Sequence, residues 1–367
     1  MKTIEDYLRP SAVTANSICA AAPAMQAAVV NAFGEEEAAD EADVGTKIHH
    51  YVAEVIEIWR DHGDVEWGKV IASICNDAQR DGLDTWSVRC IQLCAEFARD
   101  LIAKHKVERE NVLTEQRLNM EGAGFRRGGT ADLVLILPFK RIIVVDWKAG
   151  FLDQGDADQH DQLGVYGASA AVTYLADDVI VYLFQPRAER ERRATAGHYD
   201  AKKLRDTAAW SVAVNDRCRQ PNPEVTPAYD ACKHCKALHR CAPAKEWTVN
   251  VLEAIALIGK PTDPDAWGEA VAAAKIAEKA AGTTVDMAKA HLAGGGEITG
   301  WSLQGSGSTT KIDAAQAIEL ARKGGFLDQL LPFASFKTEA AKVLDGIAPA
   351  VSVVPKSPSL KPAKSAA

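Results

Sequence analysis

Between Gly129 and Lys148 the chain sets Asp132, Asp146 and Lys148 within two apolar, β-branched runs, ADLVLIL and RIIVVDW, with Pro138 punctuating the turn between them. Folding back near Phe139 puts Asp132 opposite Asp146, with Cβ atoms about 4.5–5.5 Å apart on a shared face. Two bare carboxylates at that range repel. A divalent cation removes the conflict, and hard oxygen ligands suit Mg²⁺ or Mn²⁺. Lys148 lies two residues beyond Asp146, so strand alternation returns it to the same face. A metal, an ammonium group and an incoming phosphate then share one surface.

Other elements must position that surface. GTKIHHYVAEVIEIW carries Ile48, Val52, Val55 and Trp59 at helical spacing, with His49 flanking the stripe. HDQLGVYGASA puts Gln162 and Tyr166 four apart, on one face of a helix. The periodicity predicts helices over about 45–60, 84–105, 158–173 and 201–217, and strands near 112–119, 130–137, 141–147 and 178–185, within about 2–4 residues at each end. Strands alternating with helices give an α/β fold.

In that order, Gly45-x-x-x-His49, Glu115, Asp132, Asp146-Trp147-Lys148 and Gln162-x-x-x-Tyr166 resemble the motif series of the PD-(D/E)XK nuclease superfamily, in its RecB-like branch; Ala131 stands where the superfamily name puts proline. The resemblance implies a restriction-endonuclease-like core, a mixed β-sheet flanked by helices. It also implies that His49, Asp132, Asp146 and the Trp147 carbonyl bind Mg²⁺ or Mn²⁺. Glu115 would serve a second ion or its waters, and Lys148 would orient or help deprotonate the attacking water. Gln162 and Tyr166 would position the DNA strand, Tyr166 by stacking a base.

Eight cysteines occur, three of them packed into Cys232-x-x-Cys235-x(5)-Cys241, a spacing that points thiolates at one centre. No signal peptide or bilayer-long apolar run is evident, so a reducing bacterial cytoplasm is the expected compartment, with metal ligation or free thiols rather than disulfides. AddB-type and CRISPR-adaptation nucleases look similar in carrying one cysteine ahead of the nuclease motifs and three behind. That likeness implies Cys19 as the fourth ligand of a 4Fe-4S cluster. Zinc, with His234 or His239 replacing Cys19, is the alternative. Cys75, Cys90 and Cys94 fall in helical sequence and read as small buried hydrophobes.

At 367 residues the chain exceeds what one core organises. The expected division is a nuclease domain over 1–246, a helical domain over 247–348, and a disordered Pro-, Ser- and Lys-rich tail over 349–367. The stretch from Gly305 lacks phosphate-loop spacing, which excludes a helicase motif there. A formal net charge of −8 argues against tight static DNA binding. Its distribution is uneven: Glu35, Glu36, Glu37, Asp40, Glu41 and Asp43 form an acidic run, while Arg187, Arg190, Arg192 and Arg193 cluster, with Arg126 and Arg127 beside the hairpin. The whole chain also resembles an uncharacterised family of phage and prophage proteins with a RecB-like nuclease core and a helical extension. That resemblance implies a DNA nuclease, expected to act as an exonuclease, in phage DNA recombination, replication or repair beside a single-strand-binding or annealing protein. The competing readings are a non-catalytic DNA-binding scaffold on a nuclease fold and a zinc hydrolase built on the cysteines.

Overall fold

The computed structural model describes residues 1–33, 40–62, 65–150, 154–258, 263–299, 301–304, 308–312, 319, 323, 351–355 and 359–362. Glu35, Glu36 and Glu37 of the acidic run, and the start of the Gly305 stretch, lie outside them. The chain divides into two compact units, Met1–Ala277 and Glu278–Ala367.

The first unit is α/β. Helices α1 (Val13–Ile18), α2 (Ala22–Phe33), α3 (Asp40–His62), α4 (Trp67–Arg80) and α5 (Thr85–His105) precede strands β1 (Val112–Leu118), β2 (Gly129–Leu137) and β3 (Arg141–Trp147). Helix α6 (Asp161–Tyr174), strands β4 (Asp178–Phe184) and β5 (Ala194–Asp200), and helices α7 (Ala201–Cys218), α8 (Tyr229–Cys232), α9 (Ala242–Ile258) and α10 (Pro264–Ala293) follow. The five strands form one mixed sheet in sequential order, antiparallel except for β3 with β4, which α6 joins as a parallel crossover.

Alternation along the central strands feeds a core on each face. Leu133, Leu135, Ile143, Val145 and Trp147 pack with α3, α4 and α5, whereas Val134, Ile142 and Val144 pack with α6 and α7. Small residues let α6 approach closely: Gly167 faces Val181, and Gly164 sits against Tyr199. At Gly197 in β5 any Cβ would stand 2.7 Å from the Asp158 Cα, so the close approach of strand and turn requires glycine. Helix starts are capped locally: Asp84 accepts from the Ser87 N–H at 2.7 Å before α5, and Asp200 from the Lys203 N–H at 2.7 Å before α7.

The expected strands and helices of the sheet region are present, with α6 starting at Asp161 after a short turn at Ala157–Gln159. Strand β5 was not expected, and helix α4 only as helical sequence around Cys75. In β5, ATAGHYD offers few apolar residues because it is the sheet's edge, and only Gly197 and Tyr199 are buried. The unit boundary falls within α10 rather than near residue 246. In the second unit, strands β6 (Trp301–Gln304) and β7 (Ser308–Ile312) pair with β9 (Ser359–Pro362) and β8 (Val351–Pro355) respectively. Strand β6 falls on the strand-like piece ITGWSLQ, and β8 and β9 lie within the Pro-, Ser- and Lys-rich stretch 349–367. STTKI and VSVVP are dense in β-branched residues, which favour a pleated strand despite nearby proline and serine.

Candidate active site

Strand register assembles the acidic residues. The ladder pair Leu133↔Val145 places Asp132 and Asp146 opposite each other one step further along. On the other side, Thr114↔Leu133 and Gln116↔Ala131 bracket Glu115 against Asp132. One row across three adjacent strands therefore carries Glu115, Asp132 and Asp146. Glu115 holds φ of +44°, a left-handed conformation costly for a residue with a Cβ. Helix α3 is pinned beside this row by the Thr114 hydroxyl, which donates to Glu57 Oε1 at 2.6 Å.

His49 on α3 reaches Asp132, Nδ1 to Oδ1 at 3.1 Å, while the Trp147 N–H donates to Asp132 Oδ2 at 2.7 Å. Among the described residues, ligand atoms of His49, Glu115 and Asp132 converge within 4.8 Å of one another. His49 and Glu115 line a cleft of about 480 Å³ together with Gly45, Thr46 and His50.

The Lys148 ammonium touches Asp146 Oδ2 at 2.7 Å and donates to Gln162 Oε1 at 3.1 Å. Gln162 Nε2 donates in turn to Asp146 Oδ1 at 3.4 Å and to the Tyr166 hydroxyl at 3.1 Å. Asp146 stands outside the converging set, its carboxylate held by Lys148 and Gln162, and Tyr166 is buried with its hydroxyl accepting from Gln162, so its ring has no open face for a base.

Electrostatics mark a shortage of positive charge. Burial pushes the Asp146 carboxyl up to about 6; Lys148 opposes the shift and Asp132 reinforces it. Burial, then the Asp132 charge, raises Glu115 as well. Burial alone would lower His49, but its hydrogen bond to Asp132 and the charges of Asp132, Asp146 and Glu115 prevail and raise it. Asp146 Oδ2 is fully enclosed and pairs with the Lys148 ammonium at 2.7 Å. Two carboxylates and one imidazole that converge, with Glu115, His49 and the neighbouring Asp146 all held above their ordinary pKa, form a donor set that fits a divalent cation.

Sequence reasoning missed His160. Its Nδ1 caps α6 by accepting the Leu163 N–H at 3.4 Å, and burial together with the Lys148 charge drops its pKa to about 4. Its place directly ahead of the α6 repeat was the available signal.

The cysteines gather elsewhere. Cys19 ends α1 and shares an apolar cluster with Ala231 and Cys235. Cys232, Cys235 and Cys241 each lie close enough to Cys19 for their charges to interact. Burial raises all three, Cys235 to about 11. Among the described residues the set whose ligand atoms converge within 4.8 Å is His49, Glu115 and Asp132, and the cysteines do not form a second one. Nearby in sequence, His239 Nε2 is buried without a hydrogen-bond partner. Cys90 and Cys94 are fully buried in α5 and Cys75 is half-buried, as small apolar side chains.

A profile of the family described as "Protein of unknown function (DUF2800)" matches residues 8–334. The chain belongs to the DUF2800 family. The match takes in the acidic row, the cysteines and most of the second unit, so this DUF2800 protein shares both regions with its family's span. No curated protein matches the chain. A solved chain described as "Crystal structure of SSO0001" aligns over 54% of this chain and 85% of its own, at 17% identity and a TM-score of 0.23, a likeness too low to carry a structural argument. Among the described residues no single helix is long and apolar enough to cross a membrane.

Proposed function

We propose that this DUF2800 protein is a Mg²⁺- or Mn²⁺-dependent deoxyribonuclease with a restriction-endonuclease-like core of the PD-(D/E)XK superfamily, RecB-like branch, acting in phage or prophage DNA metabolism. The observation that supports it is the row of Glu115, Asp132 and Asp146 across three neighbouring strands with the Lys148 ammonium 2.7 Å from Asp146. His49, Asp132 and Asp146 would hold the cation, with Glu115 beside it. A cation bound there would supply a water of lowered pKa and neutralise charge gathering on the phosphate. The chain's own residues do the positioning. Gln162 fixes Lys148 and Asp146 against each other, Tyr166 fixes Gln162, and Lys148 presents a positive charge where a phosphate oxygen becomes more negative. His49, hydrogen-bonded to Asp132, keeps its ring oriented toward the cleft.

Cys19, Cys232, Cys235 and Cys241 would hold a 4Fe-4S cluster, with zinc as the alternative metal. An absorption band near about 400 nm distinguishes iron–sulfur from colourless zinc. End-labelled single- and double-stranded DNA incubated with Mn²⁺ is expected to be cut by the wild type and left whole by Asp146→Ala and by Lys148→Ala, both folded by circular dichroism. Metal-dependent cutting by a purified Asp146→Ala protein would refute the assignment.

A further inference from the structure

Since Tyr166 cannot stack a base, another aromatic group must do so if an unpaired strand enters the site. Trp86 on the first turn of α5 is 60% exposed although it sits at the edge of a well-packed core. Its backbone is rigid: Asp84 caps the helix, and the next residue, Ser87, is buried. Arg187, in the connection after β4, ties this turn to the site. Its guanidinium donates to the Ser87 hydroxyl at 3.4 Å and to the Ala149 carbonyl at 2.6 Å, directly after Lys148. The turn that carries Trp86 is thereby tied to the chain just past β3, at the carboxyl ends of the parallel pair β3 and β4, where ligands bind in such sheets.

The charge around it departs from the chain's acidic balance. Arg89 follows Trp86 by three residues, on the same helix face, and is exposed. Arg193 and Arg187 both influence Cys90, which places their connection beside the start of α5. Arg89, Arg187, Arg190, Arg192 and Arg193 outnumber the local carboxylates Asp84, Glu189 and Glu191, and Asp84 is itself engaged by the Ser87 N–H and the Arg187 charge. An exposed indole amid arginines is the combination that holds an unpaired nucleic-acid strand, through stacking on the ring and phosphate contacts to the cations.

We propose that Trp86 is a stacking platform for a base of single-stranded nucleic acid leaving the Lys148 site, with Arg89 and Arg187 as positioning residues for the strand. This rests on the nuclease reading and deepens it by naming an unpaired strand as the preferred substrate form. The test uses the full chain with chelator, so that binding is read apart from cutting. Fluorescein-labelled oligothymidylate of about twelve nucleotides and a duplex of equal length are titrated by anisotropy. Wild type is expected to bind the single strand more tightly than the duplex. Trp86→Ala should weaken the single strand about five-fold or more, Trp86→Phe should restore most of that loss, and duplex affinity should stay unchanged. Arg89→Gln should flatten the salt dependence by roughly one phosphate contact. The proposal is overturned by a wild type with no preference for the single strand, by a smaller loss in Trp86→Ala, by a Phe variant no better than Ala, or by equal loss on duplex. Failure of the nuclease reading looks different: labelled DNA stays whole with Mn²⁺ while these binding results stand.

Discussion

The acidic cleft and the cysteine cluster are built by opposite routes. Asp132 and Asp146 belong to one hairpin, and a single register places them face to face. Cys19 must meet Cys232, Cys235 and Cys241 from the far end of the unit. An N-terminal strap makes that meeting possible: the Ala21 N–H donates to the Glu224 carbonyl at 3.0 Å, Arg217 bonds the Ser17 carbonyl, and Arg219 grips Glu5 with contacts of 2.9 and 3.0 Å. Burial is the leading cause of the raised pKa in both regions; beside it, Asp132 raises Asp146 further while Lys148 opposes, and neighbouring thiols add to Cys232 and Cys241. Like charges are therefore concentrated where strand pairing forces them together, and distant segments of chain meet where the N-terminal strap is held.

The largest effects should separate the two regions. Asp132→Ala is expected to reduce Mn²⁺-dependent cleavage by about a thousand-fold or more while moving the melting temperature little. Cys19→Ser should do the reverse in kind: loss of bound metal, read by absorbance and metal analysis, and a lowered melting temperature, because the clamp between the unit's ends is cut. Equal loss of stability in both variants would erase the distinction.

Next in size is the stability cost of the acidic row. Asp146 has a pKa of about 6 in the fold against 3.8 for the free group. A carboxyl raised in this way contributes its full stability below the unfolded value and loses it as pH rises through the folded one, so the window runs from about 4 to about 6. With each unit worth about 1.4 kcal/mol, a few kcal/mol are at stake. The difference in unfolding free energy between metal-free wild type and Asp146→Asn should grow across that window in favour of the variant. Mn²⁺ should raise the wild-type melting temperature at neutral pH and leave the variant unmoved. A pH-independent difference would mean that the carboxylate is not frustrated by its surroundings.

How legible each region was follows from the same contrast. Two β-branched runs around Pro138 fix the hairpin, and the hairpin fixes Asp132, Asp146 and Lys148, so local pattern sufficed. Gln162 and Tyr166 were legible as a helical pair, but the burial of Tyr166 depends on how closely Gly164 and Gly167 let α6 settle on the sheet. Cys19 carried no local signal; its partnership follows from tertiary contacts of Glu5 and Ala21. Strand β5 escaped because an edge strand needs little apolar sequence, and Trp86 because exposure cannot be read from a helical repeat.

A smaller effect tests the strap. Arg219→Ala removes a two-pronged, half-buried contact with Glu5 and should cost about 1–2 kcal/mol. Labelling of Cys19 by a thiol reagent in metal-free protein should accelerate, with cleavage by the metal-loaded enzyme within about two-fold of wild type. Slowed cleavage without faster labelling would mean that the strap serves the acidic row instead.

The smallest effect lies at Glu115, where site and stability oppose each other within one residue. Its φ of +44° costs roughly 1 kcal/mol or more for a side chain bearing a Cβ, and glycine adopts that conformation freely. Glycine also raises the entropy of the unfolded chain by a comparable amount, which offsets part of the relief. Removing Glu115 further withdraws a carboxylate that Asp132 repels. The sum favours a metal-free Glu115→Gly protein slightly more stable than wild type, by about 0.5 kcal/mol. Its Mn²⁺-induced rise in melting temperature should be smaller, because one oxygen donor beside the cleft is gone. Glu115→Ala separates the causes: it loses the carboxylate but keeps the strain, so it should match glycine in Mn²⁺ response and fall below it in stability. If alanine and glycine are equally stable, the left-handed turn stores nothing, and the carboxylate alone explains why this position of β1 is set apart from its ladder.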